Sequence, residues 1–133
     1  MSFRQTQVKD LFTKYILPHN VTEATLIKIA SVEPTVIGAF AASQQTEAVC
    51  LAAVNVDGLA IQYISSPLYS VALAAVTNNG LALKHISIGV FTNLEIRAIE
   101  EAAVSNDYRA LEFCTTINDA LINMAFTMWI YES

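Results

Sequence analysis

The residues in this chain that could do chemistry are few and scattered. His19 and His85 lie far apart, and neither has a carboxylate or cysteine at the spacing a metal ion needs. Cys50 and Cys114 sit at apolar positions with no second cysteine nearby, so both read as reduced core residues. Cys114, His85 and Asp119 could in principle form a thiolate site with a base and an orienting carboxylate, but nothing in their spacing draws them together. Glu100 and Glu101 form a carboxylate pair. Successive helical residues point about 100° apart, so this pair reads as a solvated face rather than an acid and base. Gly38, Gly58, Gly80 and Gly89 make no phosphate-binding pattern. The expectation is of a protein that is not an enzyme, with no catalytic residues, no metal site and no cofactor.

The informative pattern is a repeat. Val49 to Ile64 reads VCLAAVNVDGLAIQYI, and Val71 to Ile86, twenty-two residues on, reads VALAAVTNNGLALKHI. Each copy is an apolar helix, a polar turn with glycine and a second short apolar helix, a unit that cannot bury its own apolar face without a neighbour. The Asp57-Gly58 and Asn79-Gly80 pairs predict helix ends closed by a left-handed glycine. Ser66-Pro67 predicts the start of the next helix. A looser copy follows after twenty-eight residues, Ala102 to Cys114 over Ala74 to Ile86, with Tyr108 where Gly80 stands. Upstream, a shift of twenty-two residues sets Ile27 to Val32 over Val49 to Val54 as a degenerate terminal copy.

The flanks complete an all-α chain. Gln5 to Ile16 has Val8, Leu11, Phe12, Tyr15 and Ile16 at helical spacing, ended by Pro18. Asn20 to Glu23 caps a helix over Ala24 to Val32, which Pro34 stops, and a third short helix covers Val36 to Ala42. Thr92 to Glu95 forms a capping box for a helix running to about Val104. Thr116 to Asp119 caps a last helix, Ile117 to Tyr131, read as a lid on the stack. The fold expected is one all-α domain, a small right-handed α-solenoid-like stack of about eight to ten short helices. It divides into N-terminal helices and a degenerate repeat (1–45), three repeat units (46–115) and a C-terminal capping helix (116–133).

Composition narrows the partners. The chain is 54% hydrophobic and only 14% charged, against roughly 25% charged in an ordinary soluble domain. So little charge leaves apolar surface to be buried against copies of itself or against other proteins, or else reflects an alanine-rich core that needs little charge. A membrane span is not expected, because the uncharged stretch Gly58 to Leu83 contains Gln62, Ser65, Ser66, Pro67, Asn78 and Asn79. Arg4, Lys9, Asp10 and Lys14 interrupt the first eighteen residues, so no signal peptide is read there and an intracellular or virion location is expected. The net charge of −5 with seven basic residues argues against nucleic acid. Charge is also uneven: Arg4, Lys9, Lys14 and Lys28 oppose Asp10 and Glu23 in residues 1–28. In residues 95–133 two arginines face seven carboxylates. Ends of this kind read first as merely solvated, and second as suited to head-to-tail packing.

Within the second helix of each unit the apolar positions agree, whereas the pairs Gln62-Tyr63, Lys84-His85 and Glu112-Phe113 vary. They form the candidate interaction ridge, three planar side chains flanked by polar ones, or else half-buried packing between layers. The polar turn residues Asn55, Asp57, Asn78, Asn79, Asn106 and Asp107 read first as turn chemistry.

The unit Leu-Ala-Ala-Val, polar turn, Gly-Leu-Ala-Leu resembles the short alanine-rich helical repeats of a family of unknown function found in tandem in bacterial and bacteriophage proteins. The likeness is close over residues 46–88 and loose over about 24–115. It implies tandem helical packing and a bacterial or phage origin, and brings no catalytic residues with it. Two functions are then expected in alternative: a structural or assembly component, such as a virion or complex subunit, or a free regulatory adaptor or inhibitor that binds one host protein through the ridge.

Overall fold

The computed structural model describes residues 21–132, and the segment Gln5 to Ile16 lies outside them. Among the described residues there are five α-helices, six short 3-10 helices and no strand. The α-helices are α1 (Glu23–Val32), α2 (Glu47–Val56), α3 (Tyr69–Asn78), α4 (Asn93–Asn106) and α5 (Asp119–Glu132). The 3-10 helices are η1 (Pro34–Ala39), η2 (Ala42–Gln44), η3 (Gly58–Tyr63), η4 (Gly80–His85), η5 (Ile88–Val90) and η6 (Tyr108–Phe113). Each α-helix packs on the next, and η1, η3, η4 and η6 pack on one another in the same order. The core lies between these two rows, at Val49, Ala53 and Val54 of α2, Val71, Ala75 and Val76 of α3, and Ala60, Ile61, Ala82 and Leu83 of the 3-10 helices.

Side-chain oxygens start most of the α-helices by accepting from an otherwise unmet N–H. Thr22 accepts from Thr25, Thr46 from Val49, and Thr92 from Glu95, whose own carboxylate completes the expected capping box. In α5 the acceptor is Asn118, bonded to the Leu121 N–H at 3.0 Å. The exception is α3: it begins at Tyr69 with Leu68 at the N-cap and no side-chain bond, and Ser66-Pro67 belongs to the connector. The second helix of each unit is a six-residue 3-10 helix, tighter than an α-helix. Where Val36 to Ala42 was expected to be helical, the chain forms η1 from Pro34, whose fixed φ suits a first helical position.

The turn between the two helices of a unit is built differently from the expected left-handed closure. No described residue has positive φ. Asp57, Asn79 and Asp107 are extended, with φ of −145°, −148° and −150°, and each ends one helix while starting the next. Their N–H groups donate back to Ala53, Ala75 and Ala103, and their side chains accept from Leu59, Leu81 and Arg109. Glycine follows for reasons of space. A Cβ on Gly58 would lie 2.3 Å from the Ala75 carbonyl oxygen, and one on Gly80 would lie 2.2 Å from that of Ala103.

That close approach is fastened by an asparagine from the following α-helix. The Gly58 N–H donates to Asn78 Oδ1 at 2.8 Å, and Asn78 Nδ2 donates to the Asn55 carbonyl at 3.1 Å. One unit later Gly80 donates to Asn106 at 2.6 Å, and Asn106 donates to the Thr77 carbonyl at 3.0 Å. Each joint therefore satisfies a buried N–H that would otherwise be costly.

The first joint corrects the upstream alignment. The caps Thr22 and Thr46 and the buried Ala30 and Val54 put α1 and α2 twenty-four residues apart, not twenty-two. Val32, aligned by the shorter shift with buried Val54, is 71% exposed. In the corrected register Pro34 stands where Gly58 and Gly80 stand, and Val56 stands where Asn78 and Asn106 stand. Proline has no N–H to donate, and valine has no side-chain acceptor. Donor and acceptor are absent together.

Candidate functional site

The six ridge residues lie on the row of 3-10 helices and divide by exposure. Gln62, Lys84 and Glu112 are exposed, whereas Tyr63, His85 and Phe113 are half-buried. Tyr63 has its Cβ within 3.3 Å of a Cβ built on Gly38, and Tyr63 and Phe113 pack against the core. Gln62 and His85 come together at a cavity of about 450 Å³ that also has Ser65, Ser66 and Ser87 in its wall. Desolvation there, with the Lys84 charge adding to it, lowers the His85 pKa below its ordinary value.

The Cys50 thiol meets the Gln45 carbonyl at 3.5 Å, and burial raises its pKa to about 11. The Cys114 thiol meets the Ala110 carbonyl at 3.6 Å, and burial followed by the Glu100 charge raises its pKa to about 12. Neither thiol is an activated nucleophile in this setting. Asp119 is exposed in the first turn of α5. No cluster of three or more metal-ligating side chains occurs among the described residues. No helix among them is long and apolar enough to cross a membrane.

Glu100 overturns the solvated-face reading. It is fully buried, and its carboxylate accepts from the N–H and hydroxyl groups of both Thr115 and Thr116. The Thr115 N–H bond is 2.6 Å. Thr116, expected to cap the last helix, instead latches the connector before α5 onto α4. The repeat register carried a signal of this, since Glu100 occupies the slot that Ala72 and Cys50 fill as buried residues. Glu101, by contrast, faces outward and pairs with Arg97 at 3.4 Å. At the turn of the same unit Arg109 forks onto Asp107 at 2.7 and 3.0 Å, and that bond lowers the Asp107 pKa.

Two further surfaces were not named from the sequence. On the α-helical row, Asn55, Tyr69, Ser70, Leu73, Ala74, Thr77 and Asn78 line a groove of about 590 Å³ that carries no charged side chain. At the C-terminal end, Tyr108, Leu111, Ala125, Phe126 and Trp129 line a groove of about 270 Å³. The last helix, expected to act as a lid, packs on α4 and η6 through buried Leu121 and Ala125, while Phe126, Trp129 and Ile130 are 56%, 50% and 60% exposed.

Comparison with protein-family models, curated proteins and solved structures returns no match.

Proposed function

We propose that this chain is a non-catalytic helical-repeat scaffold, a right-handed α-solenoid-like stack that serves as a structural or assembly component, in the manner of a virion or complex subunit. The observation that carries the reading is the uncharged groove between α2 and α3. From Ala48 to Leu83 the only charged residue is Asp57, which is occupied in its turn. A groove lined by Ala, Leu, Ser, Thr, Tyr and Asn, with the Glu47 carboxylate accepting from Ser70 at its edge, is suited to burial against protein. The ordered pairing of α-helix with α-helix and 3-10 helix with 3-10 helix supports the stacked arrangement. The resemblance to tandem phage and bacterial repeats supports the context.

The test is light scattering on the eluting full chain over a concentration series, with Leu73→Glu as the surface variant. Assembly through this face gives a mass that rises with concentration and falls back to 14.5 kDa in the variant. A clean monomer at every concentration would exclude self-assembly through the face.

A second reading, a free adaptor that binds one partner protein, draws on the ridge. Gln62, Lys84 and Glu112 are exposed beside the half-buried rings of Tyr63, His85 and Phe113, an arrangement of polar rim and planar anchors common to interfaces. Under this reading the isolated chain stays monomeric, and Lys84→Glu removes binding to the partner without altering the far-UV circular dichroism.

A further inference from the structure

The outer face of the α-helical row carries a pattern of its own. In α2 and α3 the third, fourth, seventh and eighth residues are buried, and in α4 the same slots of the repeat are the buried Ile99, Glu100, Ala103 and Val104. The fifth and sixth slots therefore flank the outside of each helix. Slot five holds the large side chains Ile27, Leu51 and Leu73, and in α4 it holds Glu101. Slot six holds Ala52, Ala74 and Ala102, and in α1 it holds Lys28. All of these are half-buried except Lys28, which is exposed. Slot six leans toward the preceding helix, on the side from which Asn78 and Asn106 reach back across the joint. Slot five leans toward the following one. Neighbouring α-helices run parallel, since Ser70 meets Glu47 where α3 and α2 begin and Asn78 meets Asn55 where they end. Lys28 pairs with no carboxylate among the described residues, and Glu101 engages Arg97 through Oε1 alone.

Resting on the reading of this face as an assembly surface, we propose that its occupant is a second copy of the chain, packed face to face about a two-fold axis that runs along the helices between α2 and α3. The axis lays α2 on α3 of the other copy and α1 on its α4, all parallel. Turning a copy over reverses the side to which each slot leans, so slot five of one copy meets slot six of the other. Leu51 then packs on Ala74 of the second copy, Leu73 on its Ala52 and Ile27 on its Ala102, each large side chain over an alanine. The remaining pair is Lys28 over Glu101 of the second copy, a cation on a carboxylate. The contact is isologous, so each pairing occurs twice and the assembly closes as a dimer. A two-fold axis across the helices would instead set each slot on itself. Lys28 would meet Lys28, Glu101 would meet Glu101 and leucine would crowd leucine, so charge and shape both select the first arrangement.

The experiment is sedimentation equilibrium on the full chain and on two charge reversals. The expected result for the unaltered chain is a monomer of 14.5 kDa in equilibrium with a dimer and nothing larger. Lys28→Glu and Glu101→Lys each place like charges together twice, and each should raise the dimer dissociation constant by about tenfold. An equimolar mixture of the two variants should regain the original affinity as a mixed dimer, and the chain carrying both changes should regain it with itself. Rescue on mixing requires both variants to be folded, so loss of the fold cannot imitate it. Growth past the dimer would overturn the proposal, as would a mixture that associates no better than either variant. Assembly abolished by Leu73→Glu but indifferent to both reversals would sink this pairing and leave the scaffold reading standing, whereas a monomer at every concentration would sink self-assembly through the face altogether.

Discussion

Replacing Gly80 by alanine tests why glycine is needed at the joints. The added Cβ falls 2.2 Å from the Ala103 carbonyl oxygen and 3.1 Å from its carbon, whereas ordinary contact begins near 3.4 Å. The chain must open by about 1.2 Å, and the two nearest atoms are α4 backbone, so no side chain can swing aside. That displacement also breaks the 2.6 Å bond from the Gly80 N–H to Asn106. Overpacking costs about 1–3 kcal/mol and the lost hydrogen bond about 0.5–1.5 kcal/mol. Restricting the unfolded chain returns about 0.4–1 kcal/mol. The net expectation is a loss of about 2 kcal/mol, read as a lower urea midpoint by far-UV circular dichroism, with a melting temperature lower by roughly 5–10 °C. Gly80→Asn separates the two explanations of the glycine. A left-handed turn tolerates asparagine better than alanine, whereas a crowded joint suffers at least as much from the larger side chain. Gly89, with no atom within 4 Å of an added Cβ, is the control. Gly89→Ala should leave stability unchanged or raise it by about 0.4–1 kcal/mol. If Gly80→Ala behaves like Gly89→Ala, the crowding argument is wrong.

Asn78→Ala leaves the buried Gly58 N–H without its acceptor and should cost about 1–3 kcal/mol in urea unfolding. Val56→Ala, at the equivalent position in the repeat and exposed, should cost under about 0.5 kcal/mol. Glu100→Gln keeps one acceptor oxygen but turns an amide donor toward two of the four donors of Thr115 and Thr116, and should cost about 1.5–3 kcal/mol, with hydrogen exchange rising first in that connector. Because the folded state lowers the His85 pKa, protonation favours the unfolded chain. Stability should therefore fall as pH drops below about 6.5, and His85→Asn should flatten that part of the profile measured by denaturant titration. With thiol pKa values of about 11 and 12, Cys50 and Cys114 should alkylate far more slowly than free cysteine in native protein near neutral pH, as mass spectrometry of timed samples would show.

Much of the architecture was legible because the repeat wrote it more than once. Two near-identical copies located α2 with η3 and α3 with η4, and the Ala-Ala-Val match placed α4 with η6 despite Tyr108. The capping box at Thr92 and Glu95 fixed the start of α4, since its two reciprocal bonds are local. What escaped depended on distance in space. Gly58 and Gly80 carry the composition of a left-handed turn, and only the next helix reveals that their missing side chains make room for a carbonyl. Asn78 and Asn106 look like turn residues until their amides are seen to reach back across a joint. Glu100 has the look of a surface residue because Glu101 stands beside it, yet its repeat position is a buried slot. For the ridge, variation between copies put both members of Gln62-Tyr63, Lys84-His85 and Glu112-Phe113 outward or into a shallow groove; the first of each pair is exposed and the second half-buried, because packing of the rings depends on neighbours such as Gly38 that the pattern does not reveal.

The asparagine joint also bears on how such a chain can lengthen. Residues 57–78 hold one glycine donor at the start and one asparagine acceptor at the end, the acceptor serving that same glycine. A second copy of this segment placed after Asn78 would bring its own matched pair. The Gly58 N–H would still find its Asn78, the copied glycine the copied asparagine, and Gly80 its Asn106. Tandem duplication in steps of twenty-two residues is therefore closed under its own hydrogen bonding: an added unit creates no unmet donor, at either boundary, for the rest of the chain to accommodate. Extra residues are tolerated only in the connector ahead of the next α-helix, as the Gly80–Asn106 joint shows by closing over twenty-six positions where Gly58–Asn78 closes over twenty.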